Sequence, residues 1–282
     1  MTHGRSVLLG IPSGAKHREA VAAAVEFARL LRLPLTGIFV EDQGLLDLLN
    51  LPAAFVPLSA GPPAPALDAR FMQAALHGEG RRFRAELELR ALGARIECTV
   101  SVRRGALIDA LLGEVGPGDL VVMSLDLSRR SLAEIMPLVR RLRGHARGVL
   151  LTPEVRPSRR GAIVAVANAG RPASFALAAD IAARTPAPLL ALAADPEGVD
   201  LEALRGDIAA RLGGHAPFDL RILPAGRNLE AAILGASGIR SIVTEPGTLE
   251  RIGLDAPDAP IRRFRPALLI LRDEAEGGSP GD

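Results

Sequence analysis

Lysine is almost missing from this chain of 282 residues, with Lys16 the only one. A phosphate-gripping P-loop lysine or a Schiff-base lysine anywhere else is thereby excluded, and several large enzyme classes go with it. Cysteine is as scarce. Cys98 alone permits no intrachain disulfide and no cysteine-rich zinc site, a usage that suits a reducing compartment. His3, His17, His77, His145 and His215 show no two-histidine metal spacing and have no cysteine partner, so they read as scattered surface residues. No apolar stretch approaches the roughly 20 residues of a membrane span. The run from Met1 to Pro12 is too short for a secretory signal and leads straight into a strand pattern, so a cytoplasmic protein is expected. An excess of one charge is lacking too. With 34 basic and 32 acidic residues, the pI of 9.4 reflects the high pKa of arginine, and nucleic acid is not an expected partner. No G-x-S-x-G elbow, H-E-x-x-H helix or G-x-G-x-x-G loop occurs.

What is present is a regular alternation. Ser6 to Pro12 is an apolar run too short for a helix and reads as a buried strand. From Lys16 to Arg32, Ala20, Ala24, Phe27, Ala28 and Leu31 recur at helical spacing until Pro34 stops the pattern. A strand from Leu35 to Val40 ends at Glu41 and Asp42. A Pro- and Ala-rich loop follows, then a long helix from about Leu67 to Ala91, weakened by Gly78 and Gly80. Arg95 to Val102 alternates as a half-exposed strand. Ala106 to Val115 reads as a helix, Asp119 to Ser124 as a strand, Ser131 to Arg143 as a helix and Gly148 to Thr152 as a strand. This order predicts a parallel five-stranded sheet with helices on both faces, because parallel neighbours need crossover connections.

Pro153 to Arg160, with two prolines and three arginines, reads as a linker, after which the pattern restarts. Val7 to Gly14 (VLLGIPSG) matches Ile163 to Gly170 (IVAVANAG) at an offset of 156, and Val121 and Val122 pair with Ile242 and Val243 at an offset of 121. The second unit is shorter where the first has its Pro-rich loop and long helix. The expected division is residues 1–153, a linker 154–160, a second unit 161–273 and a tail 274–282, the two units forming an internal pseudo-dimer.

The order of elements, the alanine-rich first helix and the string Asp119 to Ser124 (DLVVMS) resemble the universal stress proteins (UspA-like) over nearly the whole chain. The resemblance implies an α/β fold of two repeated Rossmann-like units, of the adenine nucleotide alpha hydrolase type. It also implies a nucleotide site built from an Asp ending the first strand, then a G-x-x-G and a distant G-[ST] after the fourth. Those glycines let backbone amides approach phosphate with no Cβ in the way. This chain departs from that pattern throughout. Pro12 and Asn168 stand where the two units would carry the Asp, and Ser124 to Arg130 replaces both glycines of the first unit. Met136, Pro137 and Leu138 fall where G-[ST] would be, and Glu245, Pro246 and Gly247 occupy the second turn, where a glutamate repels phosphate.

The function expected from these residues is a tandem stress-response or regulatory protein, non-enzymatic, acting through an unidentified protein partner, with no cofactor and no metal. The alternative is a sensor that holds ATP or AMP in an altered site of the first unit. Its cleft would be lined by Gly10, Pro12, Ser13, Val40, Ser124, Asp126, Ser128, Arg129, Arg130 and Ser131. Ser128 to Ser131 reads two ways: as an anion site with two arginines at a helix start, or as a solvated loop in which Ser131 caps the helix and Glu134 completes a capping box. Glu41 and Asp42 point to opposite faces and read as loop caps. Cys98 reads as a buried structural thiol, and Leu132, Ile135, Met136, Val139 and Leu142 as a helix face on the sheet. Leu45, Leu46, Leu48 and Leu49 form either a helix over the cleft or an exposed patch. An enzyme acting on a phosphoanhydride would need charged groups around a phosphate loop, and none aligns.

Overall fold

The computed structural model describes residues 5–41, 69–124, 132–153, 161–168, 173–185, 187–194, 200–223, 238–245 and 266–272, with 232 and 248 between them. The first half contains β1 (Val7–Pro12), α1 (Arg18–Leu31), β2 (Leu35–Glu41), α2 (Ala69–Ala94), β3 (Cys98–Arg104), α3 (Leu107–Leu112), β4 (Leu120–Ser124), α4 (Leu132–Arg143) and β5 (Gly148–Thr152). The second contains β6 (Ala162–Asn168), α5 (Ala173–Ala183), β7 (Leu189–Ala194), α6 (Leu201–Leu212), β8 (Phe218–Leu223), β9 (Ile239–Thr244) and β10 (Ala267–Leu271).

Short continuous apolar runs make β1, β4, β5 and β10, and they are buried on both faces, as strands in the middle of a helix-covered sheet must be. In α1 the buried residues Ala20, Ala24, Phe27 and Ala28 form one stripe, and the helix ends on Arg32 in the left-handed region at φ 56°. Asp200 caps α6, its carboxylate accepting the Glu202 and Ala203 amides at 3.0 Å each, and Gly213 closes the other end at φ 55°.

The strands form one sheet in the order β3-β2-β1-β4-β5-β10-β9-β6-β7-β8. Read outward from the middle, both halves have the same order, and within each every pairing is parallel. Leu8 lies opposite Val121 in one half and Val164 opposite Ile242 in the other. The halves meet where β5 and β10 pair antiparallel, Leu268 opposite Leu151 and Leu271 opposite Gly148. Two five-stranded sheets are thus fused edge to edge. Each fifth strand is apolar on both faces, and mutual pairing removes an edge that would otherwise invite aggregation.

Side chains from α1, α2, α5 and α6 share one core layer with alternate strand residues, and those from α3 and α4 share the other. Ile135, Val139 and Leu142 are fully buried on the sheet and Met136 packs against them, as the helical spacing predicts. The side chain of Leu132 lies outside the described residues.

Several boundaries differ from the sequence reading. Helix α2 runs on to Ala94 and turns at Arg95 (φ 58°), so β3 starts at Cys98 instead of Arg95. Gly80 does not weaken α2 by accident. A Cβ there would stand 3.2 Å from the Phe39 ring, so the glycine lets the helix settle onto β2. Helix α3 is shorter than expected, ending at Gly113. Cys98 is half-buried on the edge strand, and burial together with the nearby Glu88 pushes its thiol pKa up, keeping it protonated. His17 is not a plain surface residue either: its Nε2 lies 3.3 Å from the Glu86 carboxylate and its ring meets Phe83 edge-on.

Candidate functional site

In an open parallel sheet, ligand crevices form at the C-terminal strand ends where the strand order reverses. Here those points lie between β1 and β4 and between β6 and β9. At the first, Pro12 ends β1 opposite Val40, and the Ser13 amide donates to the Val40 carbonyl at 2.8 Å. The Val40 side chain is buried in the core below. Gly10 serves packing, since a Cβ there would stand 2.9 Å from the Leu111 methyls. Ser124, at the end of β4, reaches across the crevice and its Oγ donates to the Lys16 carbonyl at 3.0 Å. The Gly14 amide is also occupied, donating to the Glu79 carboxylate at 2.9 Å. The turn between β1 and α1 is therefore held on three sides by the protein's own groups. Nothing in the sequence pattern pointed to Glu79, which comes from the distant helix α2.

Pro12, Ser13, Val40 and Ser124 thus come together at one rim, while Gly10 lies below it. Asp126, Ser128, Arg129, Arg130 and Ser131 lie outside the described residues, as does the side chain of Glu134, and with them the anion-site and capping-box readings. So do Asp42, the leucines at 45, 46, 48 and 49, Pro246, Gly247 and the side chain of Asn168.

The second crevice is closed differently. Glu245 follows β9 directly and is buried, and its carboxylate accepts the hydroxyl of fully buried Ser174 at 3.1 Å. Its carbonyl accepts the Thr248 amide at 3.1 Å and the Thr244 hydroxyl at 3.3 Å. Because α5 begins at Ala173, the carboxylate sits against the first turn of that helix, where the backbone dipole favours negative charge. A phosphate brought there would meet a carboxylate already in place. At the offset of 121 that relates the fourth strands, Ser124 corresponds to Glu245, so both crevices are bridged from one position. That correspondence was the available signal.

Glu41 is buried, with Oε2 accepting from Arg104 Nε at 3.0 Å across the β2–β3 register, while the loop it is expected to cap lies outside the described residues. Asp119, at the opposite end of the sheet, is a structural acid: it accepts from the Ser6 amide and hydroxyl at 2.7 and 2.8 Å and from the Gly116 amide at 2.7 Å. Among the described residues no three acidic, histidine or cysteine side chains group as metal ligands, and no helix is long and apolar enough to cross a membrane.

No family model matches this sequence, and no curated protein does. Solved structures do. A universal stress protein from Archaeoglobus fulgidus DSM 4304 aligns with a TM-score of 0.57 at 12% identity, over 94% of this chain and 96% of that one. The chain has the universal stress protein fold. A functionally unknown protein from Pseudomonas aeruginosa PAO1 aligns with a TM-score of 0.53 at 13% identity, over 96% of this chain and 93% of its own. What is shared at such identities is the universal stress fold along nearly the full length.

Proposed function

We propose that this chain is a tandem universal stress protein with a non-enzymatic stress-response or regulatory role exercised through protein contacts, its ordinary ATP site lost in both halves. The observation that carries the reading is the pair of self-made bridges: Ser124 to the Lys16 carbonyl, and buried Glu245 to Ser174. In this reading the units span 1–153 and 161–273, joined by the linker 154–160 and followed by the tail 274–282. They work in the cytoplasm as an internal pseudo-dimer, able to dimerise further, and need no cofactor.

A second reading, an ATP or AMP sensor using an altered site, is favoured in the first half only, where the bridge is a single uncharged hydroxyl that a ligand can displace. Equilibrium dialysis of the full chain against labelled ATP separates the two. The proposed function predicts no saturable binding in the micromolar range and no ATP turnover above a heat-treated control. Saturable micromolar binding that disappears in the Arg129→Ala, Arg130→Ala double variant would establish the sensor instead.

A further inference from the structure

We propose that the first half carries an oxyanion site on its outer edge that takes a small phosphate monoester bearing hydroxyl groups. A solvent-open cleft of about 520 Å³ lies between α2 and the outer strands β2 and β3, within the range of about 300–1,000 Å³ usual for small-ligand pockets. His77, Arg81 and Arg84 stand at helical positions i, i+4 and i+7, which places them on one stripe of α2 along the cleft. Arg104 faces them from the end of β3, and Glu41 is buried between.

Among the described residues the charges do not balance: three guanidinium groups line the cleft against one carboxylate, which accepts from Arg104 Nε and lies 3.9 Å from His77 Nε2, and the terminal nitrogens of Arg104 have no described partner. Arg84 is anchored over the strand by one terminal nitrogen on the Val100 carbonyl at 3.1 Å. No described residue forms an ion pair with Arg81. One helical turn apart, Arg81 and Arg84 are spaced to hold a single tetrahedral oxyanion, for which the planar guanidinium fork is well matched.

The acceptors select the rest of the ligand. Glu41 can only accept hydrogen bonds when ionised, and it repels an anion placed beside it, so the phosphate belongs on the Arg81 and Arg84 side. The His77 ring donates from Nδ1 to the Gln73 carbonyl at 2.7 Å, because a carbonyl can only accept. In the neutral ring this leaves Nε2, 3.9 Å from Glu41 Oε1, as a second acceptor. Two acceptors beside a cationic rim suit hydroxyl groups attached to a phosphate. This site is independent of the function proposed above and stands whether or not the crevices bind nucleotide.

Isothermal titration calorimetry of the full chain at low ionic strength tests it, with glycerol 3-phosphate and methyl phosphate as probes. The expected result is saturable binding of glycerol 3-phosphate, tighter than methyl phosphate, and weakened about tenfold or more when Arg81 and Arg84 are both changed to alanine. Both arginines are exposed, so the double variant should melt at the wild-type temperature. In Glu41→Gln the preference for glycerol 3-phosphate over methyl phosphate should shrink while methyl phosphate still binds. Absence of saturable binding by either probe, or unchanged affinity in a folded double variant, would overturn the proposal.

Discussion

In the first half the residue that crosses the crevice at the top of the fourth strand is a serine that donates; in the second it is a glutamate that accepts. The serine bridge is a single neutral hydrogen bond at a rim. The glutamate bridge is a buried charge beside a helix start, with a fully buried hydroxyl depending on it. One position in one fold can therefore close a ligand crevice loosely or firmly, according to whether the closing group carries charge. The lower ends of the same strands differ as well. Asp119 ties β4 to β1 within its own half, while the corresponding Arg240 of the second half pairs with Glu26 on α1 of the first. The first half is closed by its own groups, and the second is also fastened to its neighbour.

If that contrast holds, Asp119→Ala should give the largest loss, about 3 kcal/mol by urea unfolding, because it orphans the Ser6 and Gly116 donors beside a buried site. Arg240→Ala should cost only about 1 kcal/mol, as its ion pair is partly exposed. Equal losses would remove the distinction between the halves. Glu245→Ala, leaving the Ser174 hydroxyl buried without this acceptor, should cost about 2 kcal/mol, against about 1 kcal/mol or less for Ser124→Ala. The reverse ranking would mean that the first crevice is the firmer one.

A smaller effect concerns backbone strain, since α1 ends on a left-handed arginine where α6 ends on glycine. Arg32→Gly should therefore stabilise by at most about 1 kcal/mol, read as a rise in melting temperature. Cys98 tests the outer edge of the first half. Its raised pKa means that less thiolate forms near neutral pH, so alkylation by iodoacetamide should be slower than for a free cysteine peptide and should accelerate only at higher pH.

The buried strands were legible because their apolar runs are short and bounded by turns: Gly148–Thr152 falls where the pattern places it, and Val7–Pro12 and Leu120–Ser124 shift by one residue at the start. The fusion through β5 and β10 was not. An apolar strand buried on both faces reads the same whether its neighbour is parallel or antiparallel. At the crevices the sequence showed the missing glycines and Glu245 itself, but not the hydrogen bonds there, which join partners far apart in sequence, Gly14 with Glu79 and Ser174 with Glu245. The pairing of Glu41 with Arg104 was hidden for the same reason, because Arg104 reaches it through strand register, which periodicity alone does not supply.

The central claim is that both crevices are bridged by the protein's own groups, and it is tested most directly by a crystal structure grown with excess MgATP. The account predicts Ser124 Oγ on the Lys16 carbonyl, Glu245 on Ser174, and no nucleotide density at either reversal point. Ordered nucleotide between Pro12 and Ser124, with the serine bridge broken, would contradict it.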